Sequence, residues 1–272
     1  MADFLDKMAT SSRDRASLLE ARWSDDQLDR PVVPLTLSGF DLIAEIKDRS
    51  PAEGALDDAS FDRGARAVEY ASGGAAAISV LTEPSRFDGE IAHLAAVAAA
   101  VEGMDVPVMR KDFLVDTAQI LEARASGASG VLLIAAILDD TRLEDMLACA
   151  REHSLFVLLE AFGEDDLARC AALLERHVHR EQAAAGRLLV GVNTRNLRTL
   201  EVDPQRLESL APSLPDGAVA VAESGLVTPS DAARVALQGY AMALVGTALM
   251  RAAEPRRLVA DMLEAGRTAG LR

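Results

Sequence analysis

The stretch IAEIKDRSPAEG, residues 43–54, has the form of a buried strand that ends in reactive side chains. A short apolar run leads into an acid, Glu45, and an ammonium group, Lys47, and a Ser-Pro turn follows. Because the two charged residues are two positions apart on a strand, their side chains point to the same face. A turn of small residues can also offer backbone amides to an anion. The segment therefore predicts the first part of an active site at a strand end.

Seven further segments repeat this layout. Each is a short run rich in Val, Ile and Leu, followed by a polar or glycine-containing turn and then by a helical pattern. Apolar runs that do not alternate with polar residues are typical of strands buried on both faces. With the first run included, the predicted strands are 42–46, 76–81, 108–110, 130–134, 156–159, 188–192, 218–222 and 242–245. Amphipathic stretches between them predict helices, such as those at 117–126, 164–176 and 230–237.

Alternating strands and helices predict a parallel sheet whose strands are joined by right-handed crossovers. Eight such units in about 230 residues match the size of a closed (β/α)8 barrel. An open doubly wound sheet is the alternative, although it usually begins with a GxGxxG fingerprint, which this sequence lacks after its first strand. We predict an α/β fold, a single (β/α)8 TIM barrel at 41–272 with an N-terminal helical extension at 1–40.

The extension has a different pattern from the repeats. Ser11, Ser12 and Asp14 are residue types that cap helices, and they predict a helix over 16–23. Two prolines, at positions 31 and 34, then interrupt the chain before the first strand. Because about 40 residues are too few to bury a core of their own, we expect the extension to pack on the barrel.

The composition limits the classes of partner. Half of the 272 residues are apolar, which is enough for a large core, and the formal net charge is -15 at pH 7. A field of that sign attracts neither nucleic acid nor anionic membranes, so we expect neither partner, and an anionic substrate must be held locally.

The sequence shows no signal-peptide pattern and no apolar run of about 18 residues, which predicts a cytoplasmic location. Cys149 and Cys170 lie in Ala-rich helical patterns and are predicted to be core thiols.

The predicted strand ends collect ionisable and polar side chains. In a (β/α)8 barrel the carboxyl ends of the strands meet at one mouth, where active sites lie. Taken singly, these residues have ordinary explanations: Glu45 and Lys47 could form an exposed ion pair, and Glu160 could cap a helix. Asp112 is expected to be a solvated loop residue. The set as a whole predicts an active site formed by Glu45, Lys47, Thr82, Lys111, Glu160, Asn193, Arg195, Glu223, Ser224, Gly246 and Thr247.

Glycines after the last two strands suggest a phosphate site. Gly225 follows the seventh predicted strand, and Gly246 with Thr247 follows the eighth. Barrels commonly bind phosphate on backbone amides of these two loops, assisted by a short helix N-terminus. Ser50 and Gly54, after the first strand, could complete the cradle. The alternative is that these glycines only make tight turns.

Seven segments of this chain resemble the indole-3-glycerol phosphate synthase family, in the family's order and spacing, between residues 43 and 255. They are IAEIKDRSP, ISVLTEPSRFDG, PVMRKDFLVDTAQILEARASGASGVLLIAAIL, LLEAFGEDDL, VGVNTRNLRTLEVD, VAESG and ALVGTALMRA. The third and fifth are highly specific. The resemblance implies a (β/α)8 barrel that acts as a carboxy-lyase in tryptophan biosynthesis.

The implied reaction closes the ring of 1-(2-carboxyphenylamino)-1-deoxyribulose 5-phosphate and releases carbon dioxide and water to give indole-3-glycerol phosphate. The resemblance implies no metal and no organic cofactor. His177 and His179, the closest pair of histidines, are expected on one helix or in a loop and not at a metal site. The implied partner is a small phosphorylated substrate, and we expect a monomer or a weak homo-oligomer.

The resemblance also implies roles for single residues. Lys111 is the general acid, and we expect its pKa to be lowered by burial beside Lys47. Arg195 binds the substrate carboxylate, and Asn193 and Glu223 hold hydroxyls. Dehydration is shared among Glu45, Lys47 and Glu160, with the division left open. The aromatic ring is enclosed by Phe87, Phe113, Leu132, Leu197 and Leu244, and the phosphate rests on Ser50, Ser224, Gly225, Gly246 and Thr247.

Some positions depart from the family's usual pattern. They are the loop SRFDGE, Thr194, and the pair Thr247 and Ala248, and we expect them to tune affinity because backbone amides bind phosphate whatever the side chain. Two other functions stay open. A related barrel, such as phosphoribosylanthranilate isomerase or ribulose-phosphate epimerase, is disfavoured because the strand ends lack the Cys and Asp that those enzymes use. A silent or specialised-pathway paralogue that binds an anthranilate or indole metabolite is disfavoured by the full set of ionisable residues.

Overall fold

A computed structural model describes residues 4–19, 23–50, 54–56, 61–195, 203 and 205–270. Its strands are β1 (Asp41–Ile46), β2 (Arg49–Ser50), β3 (Gly54–Ala55), β4 (Ala77–Leu81), β5 (Val108–Lys111), β6 (Gly130–Ile134), β7 (Phe156–Ala161), β8 (Leu188–Asn193), β9 (Val219–Glu223) and β10 (Met242–Val245). Its helices are α1 (Phe4–Ser17), α2 (Asp25–Leu28), α3 (Arg63–Ser72), α4 (Pro84–Phe87), α5 (Ile91–Ala100), α6 (Thr117–Ala125), α7 (Asp140–Glu152), α8 (Glu164–Leu174), α9 (His177–Ala184), α10 (Gln205–Leu210), α11 (Pro229–Leu237), α12 (Thr247–Arg251) and α13 (Pro255–Gly270).

Eight parallel strands form a closed barrel in the order β1-β10-β9-β8-β7-β6-β5-β4. Strands β2 and β3 form a separate antiparallel pair directly after β1. The predicted fold class is therefore confirmed. Two of the eight predicted strands match the observed bounds, and the other six differ by one or two residues at their ends. The predicted helices correspond to α6, α8 and α11.

The strand residues alternate between two apolar layers. Side chains such as Ile43, Leu132 and Leu189 fill the inside of the barrel, whereas Leu42, Val131 and Leu188 pack outward against the helices. Gly130 leaves room for the ring of Phe156 on the neighbouring strand, since a Cβ there would overlap that ring. The inside is thus a packed core, and the carboxyl groups of Glu45, Glu160 and Glu223 lie at the carboxyl ends of their strands.

The first helix is not where the capping pattern placed it. Helix α1 spans Phe4–Ser17, so Ser11, Ser12 and Asp14 lie inside it and do not cap a later helix. The predicted helix over 16–23 is wrong in its described part, and residues 20–22 lie outside the described residues. Packing decides the position: Met8 and Ala9 are buried against the barrel, and buried Ser12 accepts a hydrogen bond from Gln119 Nε2 at 2.8 Å.

Asp112 is buried, which corrects the expectation of a solvated loop residue. Arg15 of α1 donates two hydrogen bonds to its carboxylate, at 2.7 and 2.9 Å, and Arg110 and Thr82 also bind it. Burial alone would raise the pKa of Asp112, but the two guanidinium groups and the amide of Phe113 outweigh it and lower that pKa. The ion pair with Arg15 therefore attaches α1 to the loop after β5.

The two cysteines are free thiols, and the two neighbouring histidines lie on one helix. Cys170 is buried and Cys149 half-buried, both are free, and burial raises the pKa of Cys170 to about 12. His177 and His179 lie on α9, where His179 Nε2 contacts Glu144 at 3.0 Å. Across the described residues, no helix combines the length and the apolarity needed to cross a membrane.

We predict that Arg15→Ala lowers the free energy of unfolding by about 3 kcal/mol, because it leaves the buried carboxylate of Asp112 with one guanidinium fewer. Arg257→Ala is the matched control. Its ion pairs on α13 are about three-quarters exposed on the arginine side, so its loss should stay below about 0.5 kcal/mol in urea denaturation. Equal losses in the two variants would contradict the assigned role of Arg15.

The same pair predicts a pH dependence. The pKa of Asp112 is lowered in the folded protein, so the stabilisation is complete above the unfolded value of about 3.9 and is lost as pH falls through the folded value. The difference in unfolding free energy between wild type and Arg15→Ala should therefore shrink below about pH 4. A difference that stays constant in acid would show that Asp112 does not carry the effect.

Candidate active site

A cavity of about 540 Å³ opens at the carboxyl ends of the barrel strands. Apart from Gly54 and Thr82, the predicted site residues that the structure describes all line it: Glu45, Lys47, Ser50, Phe87, Lys111, Phe113, Leu132, Glu160, Asn193, Arg195, Glu223, Ser224, Gly225, Leu244, Gly246 and Thr247. Leu197 lies outside the described residues. Gly54 and Thr82 are not among the lining residues: Gly54 belongs to β3, and Thr82 binds Asp112.

Lys111 occupies the floor of this cavity. Its Nζ lies 3.1 Å from Glu160 Oε2 and 3.1 Å from Glu223 Oε2. The three residues stand at the ends of β5, β7 and β9, which are alternate strands of the barrel. Alternate strands contribute side chains to the same layer of a barrel interior, which explains why residues so far apart in sequence meet here.

The expected lowering of the Lys111 pKa is wrong. Burial acts in that direction, but the carboxylates of Glu160, Glu223 and Glu45 outweigh it, and the pKa of Lys111 is raised. The sequence pointed to Lys47 as the dominant neighbour, whereas the ammonium of Lys47 is paired with Glu45 at 2.6 Å. Lys111 is therefore firmly protonated before substrate arrives.

Glu223 and Glu45 behave differently although both are buried. Burial raises the pKa of Glu223 well above its usual range, and the facing carboxylate of Glu160 adds to that effect. For Glu45, burial is outweighed by Lys47 and Lys111, and its pKa is lowered. A Glu223 that holds its proton binds Lys111 less strongly than a carboxylate would, so we attribute the raised pKa of Lys111 mainly to Glu160.

Two glycines make room for the carboxyl groups. A Cβ on Gly191 would collide with Glu223 Oε1, and a Cβ on Gly246 would collide with Glu45 Oε1 and lie 2.8 Å from Lys47 Nζ. Neither glycine has a positive φ, so space and not backbone conformation is the reason for glycine at both positions. Gly191 was not identified from the sequence.

Asn193 connects the floor to the rim. Its Nδ2 donates to Glu160 Oε2 at 3.1 Å, and its Oδ1 accepts hydrogen bonds from the amide of Arg195 and from Ser224 Oγ, both at 2.9 Å. These contacts fix the orientation of the Glu160 carboxylate. They also fix the start of the two loops that carry Arg195 and Ser224.

The turn after β9 has an unusual backbone conformation. Ser224 and Gly225 both have positive φ, at 69° and 76°, and Gly246 precedes the short helix α12. Turns of small residues can offer backbone amides to an anion. Arg251, at the end of α12, also lines the cavity and was missed, although it lies one helical turn after Thr247 in the recognised segment ALVGTALMRA.

One part of the cavity lining is apolar. Phe87 and Phe113 have ring centroids 6.3 Å apart, and Phe4 of α1 packs edge-on against Phe113 at 6.0 Å. Leu132 and Leu244 lie in the same buried cluster. Phe4 could not be identified from the sequence because the pattern of the extension gave no sign that it contacts this wall.

The use of lysine is a signal that the sequence analysis missed. The chain contains three lysines, Lys7, Lys47 and Lys111, among 28 basic residues, and two of the three line this cavity. Arginine cannot release its proton in a protein, whereas a lysine can. Almost all other basic residues of this chain are arginines, so Lys47 and Lys111 are the basic side chains of the cavity that could transfer a proton.

Comparison with known proteins shows the family of this chain. The family model described as indole-3-glycerol phosphate synthase matches residues 32–262. The chain belongs to this family. Two relatives named indole-3-glycerol phosphate synthase are those of Nocardioides sp., 44% identical over 90% of both chains, and of Streptomyces griseus, 40% identical over 100% of this chain and 94% of the relative.

A solved structure supports the fold alone. The 3-hexulose-6-phosphate synthase of Salmonella typhimurium superposes with a TM-score of 0.58 at 17% identity, covering 84% of this chain and 99% of that one. At that identity the likeness shows a shared barrel. The assignment to the indole-3-glycerol phosphate synthase family rests on the sequence comparisons.

We predict that Gly191→Ala reduces turnover by about 10²-fold, because the added methyl group displaces the carboxyl of Glu223 from Lys111. Gly270→Ala, at the end of α13 where a Cβ meets nothing within 4 Å, is the control and should leave turnover unchanged. Formation of the fluorescent indole product measures both. Wild-type turnover in Gly191→Ala would show that the position of Glu223 is not critical.

Proposed function

We propose that this cavity converts 1-(2-carboxyphenylamino)-1-deoxyribulose 5-phosphate into indole-3-glycerol phosphate, carbon dioxide and water. One observation carries the proposal: the ammonium of Lys111 lies between two carboxyl groups on the floor of a cavity with an apolar wall. Membership of the indole-3-glycerol phosphate synthase family supports the same activity. We further propose that residues 41–272 form the barrel domain and residues 1–40 an extension of it. The proposed location is the cytoplasm, and the proposed oligomeric state is a monomer or a weak homo-oligomer.

We assign the two ends of the substrate to the two ends of the cavity. The phosphate is held by Ser50, Ser224, Gly225, Gly246 and Thr247, where amide groups supply a local positive field in a protein of net charge -15. The aromatic ring packs on Phe87, Phe113, Leu132 and Leu244, with Leu197 as a further predicted contact. Arg195 faces the carboxylate, for which the planar guanidinium is suited.

Ring closure needs a proton at the ketone oxygen as the aromatic carbon attacks. We assign this proton to Lys111, since it is the cation on the floor that carboxylates keep protonated. The transition state carries developing negative charge on that oxygen, and a fixed ammonium stabilises it. Loss of carbon dioxide then restores aromaticity, and the apolar wall favours the release of a neutral molecule over retention of a carboxylate.

Dehydration needs a base and an acid. We assign the base to Glu160, because its carboxylate adjoins Lys111 and is oriented by Asn193. The carboxylate of Glu45 is already neutralised by Lys47 at 2.6 Å, and we assign that pair to binding the hydroxyl groups of the ribulose chain, together with Asn193 and Glu223. The silent-paralogue alternative has no observation in its favour, since the complete ionisable cluster is present.

Lys111→Ala should reduce turnover by about 10²-fold or more, the usual effect of losing a general acid. Lys7→Ala removes the exposed lysine of α1 and should leave turnover unchanged. Incubation with the carboxyphenylamino-deoxyribulose phosphate, followed by indole fluorescence, measures both. If wild type bound this substrate without forming product, the silent paralogue would be the correct function, and a fully active Lys111→Ala would remove Lys111 from the mechanism.

Inorganic phosphate should bind the proposed cradle and compete with the substrate. At ten times its dissociation constant it should raise the free energy of unfolding by about 1.4 kcal/mol, because it binds the folded state alone. Chloride at equal ionic strength is the control and should give no such increase. Non-competitive inhibition by phosphate would place its binding outside the cavity.

A further inference from the structure

The proposed reaction consumes a proton, and the following inference rests on that proposed function. The substrate enters with an ionised carboxylate, and the products are carbon dioxide, water and a molecule without that carboxylate. Charge balance therefore requires one proton from the enzyme in each turnover. Within the turnover two protons are donated, one to the ketone oxygen and one to the departing hydroxyl, and one proton is removed from the ring-closed intermediate.

The two donated protons go to the same oxygen atom. The ketone oxygen becomes a hydroxyl when the ring closes, and this hydroxyl is the group that leaves in the dehydration. A donor that is correctly placed for the first transfer is also correctly placed for the second. Lys111 can serve both only if it regains a proton in between.

Glu223 is the neighbour that can return this proton. Its Oε2 lies 3.1 Å from Lys111 Nζ, within reach of a direct transfer. Its Oε1 is buried and has no hydrogen-bond partner among the described residues, although an ionised carboxylate at that depth needs partners for both oxygens. Gly191 provides the space that Oε1 occupies.

The local charges also favour a neutral Glu223. The cavity floor holds Lys47 with Glu45 and Lys111 with Glu160, which are two balanced pairs. Glu223 is the third carboxyl group, and it faces an ammonium that Glu160 already neutralises. The groups that face it from neighbouring strands are Lys111, Glu160 and the uncharged Asn193 network, while Arg195 acts on the Glu45 side of the cavity. Burial raises the pKa of Glu223 in agreement with this count.

We propose that the carboxyl group of Glu223 carries a proton in the resting enzyme and passes it to Lys111 after Lys111 has protonated the ketone oxygen. As the carbon-carbon bond forms, the carbonyl π electrons move to oxygen, which takes a proton from the ammonium and leaves an amine. Glu223 reprotonates this amine and becomes a carboxylate. Carbon dioxide leaves and its bonding electrons return to the ring system.

Dehydration then completes the balance. The carbon-oxygen bond breaks and the hydroxyl departs as water with the second proton from Lys111, while Glu160 takes the proton lost by carbon. The enzyme ends with neutral Lys111, ionised Glu223 and protonated Glu160, one proton fewer than at the start. Uptake of one proton from solvent after product release, with redistribution among the three groups, restores the resting state.

Glu223→Gln tests the relay because glutamine keeps the size of the side chain but has no acidic proton. Ring closure and release of carbon dioxide use the proton that Lys111 already holds, so carbon dioxide should appear within a few-fold of the wild-type rate. Indole-3-glycerol phosphate should form about 10²-fold more slowly or worse. The ratio of carbon dioxide to indole product, which is one for wild type, should exceed one during the first turnovers.

Ser224→Ala is the control for a role in binding alone. It removes a hydroxyl next in sequence to Glu223 and bound to Asn193, and it should raise KM while the two products stay in equal amounts. If Glu223→Gln slowed the formation of both products equally and raised KM, Glu223 would act by binding the substrate hydroxyls alone and the relay would be overturned.

Infrared difference spectroscopy tests the protonation state without substrate. The wild-type protein at neutral pH should show a carboxylic acid carbonyl band that is missing in Glu223→Gln and present in Ser224→Ala. The absence of a band difference would overturn the proposal even in an active enzyme. An inactive wild type that shows the band would instead refute the proposed function and leave the protonated Glu223 standing.

Discussion

The ammonium of Lys111, held between Glu160 and Glu223, is the contact on which the architecture of the site depends. Its three residues end β5, β7 and β9, so they meet only because the sheet closes and alternate strands share a layer. Charged groups at this depth must satisfy one another, since water cannot. The apolar barrel interior beneath them and the small residues beside them, Gly191 and Gly246, follow from that requirement.

The surrounding structure keeps this cluster in place. Asp112, next to Lys111 in sequence, is bound by Arg15, Arg110 and Thr82, so the loop after β5 is attached both to its own strand and to α1. The N-terminal helix also supplies Phe4, which packs on Phe113 in the cavity wall. The extension therefore supports the cavity at the carboxyl ends of the strands as well as covering the core of the barrel.

The sequence predicted what depends on local pattern. Strands buried on both faces appear in the sequence as continuous apolar runs. Because barrel strands end at one mouth, the sequence alone predicted that Glu45, Lys111, Glu160 and Glu223 lie together. Prediction from the sequence failed where contacts between distant residues determine the structure. Three predictions were wrong: a helix over 16–23, a solvated Asp112 and a lowered pKa of Lys111. The contacts that determine these features join residues far apart in the chain. The roles of single side chains remain predictions, and Leu197 lies outside the described residues.

The protonation of Lys111 is the most direct test of this account, and the three lysines of the chain make it accessible. With lysine labelled by carbon-13 at the ε position, NMR titration should resolve three signals. Each signal is assigned by substituting one of the three lysines. The signal of Lys111 should remain that of the ammonium beyond about pH 10.4, the ordinary pKa of a lysine side chain, because Glu160 and its neighbours raise the pKa of Lys111. A Lys111 signal that titrates below about pH 10.4 would contradict the ion cluster from which the proposed chemistry is derived.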